Sequence, residues 1–534
     1  MKHRLFKRIG TMFLALTMLM TMGTAASSVF AAEQDASDVL TVYNVEQGAT
    51  VKAYKIVKEE NGKWVKTANS LSIADPAKPT AKEIAAIASS SDTLAALTSV
   101  DLAYNAADKS FKAAQKQTPG VYLVLVTGTN GATLYNPMIV SIDYDGTLDS
   151  VDASKNFEYD GSVAYAKSST PKIDKSNDKK GNTASGTTDK GTSAQVGDEV
   201  GFTLKTTIPS YSEQYTNVKF NVSDTLDAGL DVPKASDIKV TVGGNDVAAS
   251  ADTYTVTLKD RGFEIAFASD YIKGLAAKTA AERAVVVKYT SKVNENATYN
   301  YIPNKNTAEI TFTNKPDGST GKDTDNSKIY TFGLDANLNG TATTKNKKTH
   351  EVIKLDENGQ SQTLSYNEDG TETTVTNPLA GAVFKLYSDE ACKNEVASAT
   401  TSTNGYMEMT GLKEGTYYLK EISAPSGYVP SDTVFTVTIS ATYDEDGTLL
   451  THTVNIADGD TSYGSTYTAT YASDGSIDNI TAESETLFIV NSKVPGLPST
   501  GGVGTYIFTI IGVVIMSMAA ILLRKRYKAA KNAQ

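Results

Sequence analysis

Cysteine is nearly absent from this 534-residue chain. Cys392 stands alone, which excludes an intramolecular disulfide and any cysteine-cluster zinc or iron–sulfur site. Only three histidines occur, one of them at position 3, so no HExxH pair exists and imidazole catalysis has little scope. An excess of positive charge is also lacking: 50 Lys and Arg face 61 Asp and Glu, and a net charge of −11 argues against a nucleic-acid partner. No glycine-rich phosphate loop, nucleophile elbow, EF-hand spacing or paired-carboxylate motif separates from background, so neither an enzyme with turnover nor a metal or other cofactor is expected. What remains is 40% hydrophobic and 21% charged. That composition can bury cores, and the length leaves room for about three domains.

Long apolar runs occur only at the ends. Lys2, Arg4, Lys7 and Arg8 precede an apolar run over 11–22 and then small residues through Ala31 and Ala32. This is the order of a secretory signal peptide, with cleavage expected after Ala31; the run is too short for a membrane anchor. Residues 503–523 carry no charge and precede Arg524, Lys525, Arg526 and Lys528. As a helix they would rise about 30 Å, one bilayer core, with the basic tail held on the cytoplasmic side. Residues 1–31 hold four basic side chains, residues 501–534 hold five, and neither segment holds an acid. The stretch between them therefore has 41 basic and 61 acidic side chains, net −20, a soluble and self-repelling surface.

From residue 38 onward the texture is β. Runs such as GVYLVLV (120–126), YTVTL (254–258), AVVVKY (284–289) and VFTVTI (434–439) are bounded by Gly, Asn and Asp turns, as in β-sandwiches. The clearest helix signal is the capping box TAKE (80–83) before Ile84, Ile87 and Ala88. The polar stretches 176–193 and 339–348 read as a solvated loop and a domain junction. The expected fold is mainly β: three tandem immunoglobulin-like sandwich domains at 32–167, 168–340 and 341–496. A signal peptide (1–31) precedes them; a sorting segment (497–534) with one transmembrane helix (503–523) follows. Trp64 reads as a core or edge aromatic, His350 and His452 as surface residues, and Cys392 as a free thiol in a turn.

Three motifs carry chemistry. LPSTG places Leu497, Pro498, Thr500 and Gly501 ahead of the apolar span and basic tail. A residue before proline is held extended, which suits entry into a cleft. This tripartite arrangement resembles the sorting signals of wall-anchored Gram-positive proteins. The resemblance implies that a sortase cysteine attacks the Thr500 carbonyl, that Gly501 onward leaves, and that the thioester awaits an amine. VAYAK (163–167) resembles the VYPK core of sortase-assembled pilins, with Tyr165 and Lys167 matching and Ala166 in place of proline. GTYYLKEISAPSGY (415–428) resembles the YxLxETxAPxGY signature of collagen-adhesin B-type domains; Tyr417, Leu419, Glu421, Ala424, Pro425, Gly427 and Tyr428 match and Ile422 replaces threonine.

That last resemblance implies a Lys–Asn isopeptide bond between first and last strands, formed by Lys354 and Asn491 under catalysis by Glu421. A physical argument runs beside it. In VIK (352–354) and FIVN (488–491), strand alternation puts Lys354 with Val352 and Asn491 with Ile489. If those faces are core, burial disfavours the ammonium form and leaves a neutral nucleophile, whereas a buried carboxyl tends to keep its proton. Glu421 could then polarise the Asn491 carboxamide and relay the amine proton, with ammonia released and no cofactor used. In the middle domain, PKIDK (171–175), VSDTLDAGL (222–230) and NKNTAEI (304–310) resemble the corresponding segments of shaft pilins and adhesin A-type domains. They imply Lys175, Asp224 as catalytic acid and Asn306, with Lys172 and Asn314 as open alternatives. No triad is evident in the first domain.

Taken together, the chain resembles the backbone subunits of sortase-assembled pili. The resemblance implies polymerisation from Thr500 of one copy to Lys167 of the next. Expected partners are sortase, identical subunits and peptidoglycan, with minor pilins and host ligands as further candidates. The competing expectation is a wall-anchored monomeric adhesin or minor pilin, for which Lys167 would be irrelevant.

Overall fold

The computed structural model describes residues 39–129, 131–142, 162–340, 349, 351–359, 376–494 and 503–531. The signal segment, the LPSTG pentapeptide with Leu497, Pro498, Thr500 and Gly501, and His350 lie outside the described residues. Within them the chain is mainly β, arranged as three tandem immunoglobulin-like domains followed by one apolar helix.

In the first domain an eight-stranded sheet carries cores on both faces. The Gly120–Thr127 strand shows why its sequence is continuously apolar. Tyr122, Val124 and Val126 face one core, while Val121 and Leu123 face another built against Ile84 and Ile87 of the Ala81–Ala88 helix. That helix begins with the expected capping box: Thr80 Oγ1 accepts from Glu83 N, and Glu83 Oε2 accepts from Thr80 N. Trp64 packs at the edge of this second core.

The middle domain is a sandwich of a five-stranded and a six-stranded sheet. Phe202, Val285 and Val287 from one sheet meet Phe220, Phe263 and Ile310 from the other. The stretch 176–193 is not a solvated loop. It forms the strands Asp174–Asn177, Gly181–Thr183, Gly186–Thr188 and Gly191–Ser193. The hairpin in it docks on the third domain, where Thr183 pairs with Tyr443 and Thr188 Oγ1 donates to Glu445 O at 2.8 Å. Its glycines permit close backbone approach: a Cβ at Gly191 would stand 2.2 Å from Gly447 O.

In the third domain seven strands from Glu395–Thr400 to Ile477–Glu485 form the main sheet. The Val352–Asp356 strand runs parallel to Leu487–Asn491 in a separate pair. Phe332, Leu334 and Leu338 belong to this core, so the chain crosses from the middle sandwich near Thr331, directly after the Thr320–Tyr330 strand. Asp335 and Glu351 pin that entry. Asp335 accepts from Val352 N (2.9 Å) and Met407 N (3.1 Å), and Glu351 accepts from Thr349 Oγ1 (2.6 Å) and Tyr467 OH (3.1 Å). Cys392 lies half-buried in a turn, at φ 53°.

His452 is buried, not exposed as the sequence suggested: it is 0% accessible, stacked on Phe332 at 4.5 Å, with neither ring nitrogen hydrogen-bonded among the described residues. Burial pushes its pKa down to about 3. An unfolded histidine titrates near 6.5, so below that pH the unfolded chain binds a proton that the folded chain refuses. Stability is therefore lost as pH falls from about 6.5 toward 3, by about 1.4 kcal/mol per unit. Asp335 and Glu351, raised chiefly by burial, act with the opposite sign and are common to any pair of proteins that differ only at 452. On acidification from pH 7 to pH 5, His452→Leu is expected to lose less thermal stability than the parent, measured by calorimetry. Parallel losses would contradict the assignment.

The helix Val503–Lys531 follows. Residues 505–531 are long and apolar enough to cross a membrane, and the helix continues through the basic tail instead of stopping at 523.

Candidate functional site

Lys354 occupies the centre of the Val352–Asp356 strand and Asn491 the end of Leu487–Asn491. Val352 and Ile489 belong to the main core, whereas Ile353, Leu355 and Phe488 pack in a separate cluster on the other side. Lys354 and Asn491 share the parity of the first pair and are buried, at 0% and 1% exposure. Glu421, 3% exposed, comes from the adjacent face of Gly415–Ser423, where the pairing with Val383–Tyr387 shifts register. Lys354 Nζ donates to Glu421 Oε2 at 3.0 Å and to Asn491 Oδ1 at 2.5 Å. Asn491 Nδ2 donates to Glu421 Oε1 at 2.6 Å, and Ser431 N donates to Oε2 at 3.0 Å. The Phe384 ring lies 5.7 Å from the amine. Burial pulls the Lys354 pKa down, against the opposing pull of Glu421, which favours the neutral amine. One carboxyl group thus bridges an amine and a carboxamide nitrogen. It can take a proton from the first and hand one to the second, so its contact is with the nitrogen of Asn491 and not with the carbonyl oxygen.

A second buried lysine sits between the two sheets of the middle domain. Lys175, 0% exposed, comes from Asp174–Asn177; Asp224 from Phe220–Leu226; Asn306 from Asn304–Thr313. Lys175 Nζ donates to Asp224 Oδ2 at 2.6 Å and to Tyr289 OH at 3.1 Å. Tyr289 donates to Asp224 Oδ2 at 2.6 Å and accepts from Asn306 Nδ2 at 2.6 Å. Burial lowers the Lys175 pKa against the attraction of Asp224, and it raises that of Asp224 against the attraction of Lys175. Both shifts favour a neutral amine beside a protonated carboxyl. Asn306 does not stand on the last strand of its sandwich, since Thr320–Tyr330 follows it. The alternatives lie elsewhere: Lys172 is exposed and pairs with Asp323, while Asn314 Nδ2 donates to Gly131 O at the seam with the first domain. Sequence reasoning missed Tyr289, although it shares the parity of Val285 and Val287.

Lys167 is exposed between the strands Val163–Tyr165 and Ser168–Ser169. Its flanks are fixed. Tyr165 stacks on Tyr43 at 5.3 Å, Ala166 N donates to Tyr43 O at 3.0 Å, and Lys167 O accepts from Asn136 N at 3.0 Å. A proline at 166 could not make that donation.

Four family descriptions match successive parts of the chain. They are "T6 antigen Ig like domain" at 35–168, "Gram-positive pilin backbone subunit 2, Cna-B-like domain" at 196–316, "Prealbumin-like fold domain" at 369–451 and "LPXTG cell wall anchor motif" at 489–531. The trypsin-resistant surface T6 protein of Streptococcus pyogenes serotype M6 is 25% identical over 97% of this chain and 100% of its own length. The chain belongs to the backbone pilins of Gram-positive sortase-assembled pili. The solved T6 backbone pilin of serotype M6 S. pyogenes, described as a modular three-domain structure, has the same fold. It superposes with a TM-score of 0.57 at 20% identity, over 85% of this chain and 98% of that one. Platelet adherence protein A of Streptococcus gordonii is 31% identical over 151 residues, 28% of this chain but 4% of that protein. The pilin is a structural subunit and not an enzyme, anchored to the cell wall at the bacterial surface.

Proposed function

We propose that this pilin is welded at two levels by lysine amides. Between subunits, sortase cleaves after Thr500 and joins its carbonyl to Lys167 of the next copy. Within a subunit, Lys354 condenses with Asn491 under Glu421, and Lys175 with Asn306 under Asp224. The observation that carries the reading is the pair of fully buried lysines, each held against a carboxyl group in a site that also holds an asparagine. An unpaired buried ammonium would be costly; a buried amine consumed in an amide is not. Lys354 and Asn491 are 137 residues apart. By analogy with a disulfide closing a loop of that size, the cross-link is worth about 3–5 kcal/mol, without sensitivity to reductants. Covalent junctions also hold a fibre whose subunits repel one another at net −20.

The test is denaturing electrophoresis of wall extracts, for which a ladder of covalent multimers is expected. The partial likeness to a platelet adherence protein supports a second reading, an anchored monomer or minor pilin with a ligand-binding surface. It predicts a single band.

A further inference from the structure

The two buried lysine sites differ in one respect that the chemistry must accommodate. In the third domain Glu421 touches both the nucleophile and the departing nitrogen, at 3.0 Å to Lys354 Nζ and 2.6 Å to Asn491 Nδ2. Asp224 is one methylene shorter. It reaches Lys175 Nζ at 2.6 Å, but its other oxygen, Oδ1, has no hydrogen-bond partner among the described residues, and neither does Asn306 Oδ1. The group that does reach Asn306 Nδ2 is the Tyr289 hydroxyl, at 2.6 Å, and the same hydroxyl lies 2.6 Å from Asp224 Oδ2 and 3.1 Å from Lys175 Nζ. A phenol oxygen therefore spans the gap that a longer carboxylate spans alone in the third domain.

We propose that the Tyr289 hydroxyl is a catalytic proton relay for formation of the Lys175–Asn306 amide, carrying to Asn306 Nδ2 the proton that Asp224 is too short to deliver. The proposal rests on the reading that these two residues condense. Starting from the neutral amine, Nζ attacks Asn306 Cγ and a C–N bond forms. Tyr289 gives its proton to Nδ2 and recovers one from the protonated Asp224, so that the Cγ–Nδ2 bond breaks and ammonia leaves. The carboxylate so formed takes the surplus Nζ proton on Oδ2. One hydrogen has moved from Nζ to Nδ2, the carboxyl group and phenol are regenerated, and no oxidant or co-reactant is needed. Two features suit the ring to this task. Burial, reinforced by Asp224, holds the phenol well above its ordinary pKa, so it keeps a proton to give. Phe202 stacks on the ring at 5.5 Å and Phe263 meets it edge-on at 5.1 Å, which fixes the hydroxyl.

The experiment compares parent and Tyr289→Phe full-length chains made by cell-free synthesis in detergent, sampled over time by intact mass and by mapping of branched tryptic peptides. The parent should lose two ammonia molecules. In Tyr289→Phe the Lys354–Asn491 bond, whose site uses no tyrosine, should form at the parental rate in the same molecules. The Lys175–Asn306 bond should form on the order of 100-fold more slowly. A middle-domain rate equal to the parent's would overturn the relay. Absence of the Lys175–Asn306 bond from the parent itself would overturn the underlying reading, and the relay with it. Should the phenylalanine chain prove trypsin-sensitive in its middle domain, 3-fluorotyrosine at 289 keeps the shape and lowers the phenol pKa. The pH profile of middle-bond formation should then shift, and an unshifted profile would overturn the relay.

Discussion

Cells producing Lys167→Ala pilin are expected to show a monomer band where the parent shows a high-mass ladder in denaturing gels of wall extracts. The expectation follows from the way this lysine is presented. Its backbone is gripped on both sides, by the Ala166–Tyr43 and Asn136–Lys167 hydrogen bonds and by the Tyr165–Tyr43 stack, while its side chain is exposed at the end of the first domain. A fixed backbone under an exposed amine lowers the entropic cost of docking against a thioester. Without the amine, the acyl group on Thr500 has only the wall peptide to join, so anchoring persists and growth stops. Lys167→Arg separates nucleophile from charge: it keeps the positive charge and should abolish the ladder equally. Internal cross-links should be untouched in both variants, since Lys354 and Lys175 are buried in other domains. A ladder that survives both substitutions would move the acceptor to another lysine.

Glu421→Ala is expected to leave the third domain uncross-linked, lacking one ammonia from its sequence mass where the parent lacks two, and much less stable. Two losses add. The amide is not formed, at about 3–5 kcal/mol for a loop of this size. The buried Lys354 amine also keeps its place without a carboxyl partner, at about 3–5 kcal/mol for a broken buried pair. Part of the second is relieved because the lysine can remain neutral, as its lowered pKa already favours. Even a net loss of about 6 kcal/mol would lower the melting temperature of a domain this size by on the order of 20 °C, read by calorimetry. Glu421→Gln keeps the volume and removes the proton-accepting oxygen. It should also remain uncross-linked, with a smaller loss of stability. Two ammonia molecules still missing from the sequence mass of either variant would remove Glu421 from the mechanism.

Much of this was legible in the sequence because β-structure writes its faces as parity. VIK and FIVN put Lys354 and Asn491 on the faces of Val352 and Ile489, which belong to the main core. Ile173 and Lys175 share a parity that Lys172 does not, and Asn306 shares that of Ala308 and Ile310, which line the sandwich. The same rule, applied further, would have found Tyr289 beside Val285 and Val287, and would have buried His452 with Val454 and Ile456. Residue type misled there, because a hydroxyl and an imidazole suggest exposure. Parity could not reveal the hairpin at 176–193. Its glycines, lysines and threonines resemble those of a flexible linker, and only the close approach of Gly191 to Gly447 gives them a structural purpose. The crossing into the third domain was hidden for a related reason. Thr320–Tyr330 runs into Phe332–Leu334 without a proline or a polar run to mark the change of core.

Tandem mass spectrometry of trypsin-digested polymer released from the wall probes the weld itself. It should recover three kinds of branched peptide, joining Thr500 to Lys167, Lys354 to Asn491 and Lys175 to Asn306, with two ammonia molecules missing from every subunit. Recovery of the same peptides as unbranched chains, each with its lysine side chain still a primary amine, would contradict the account.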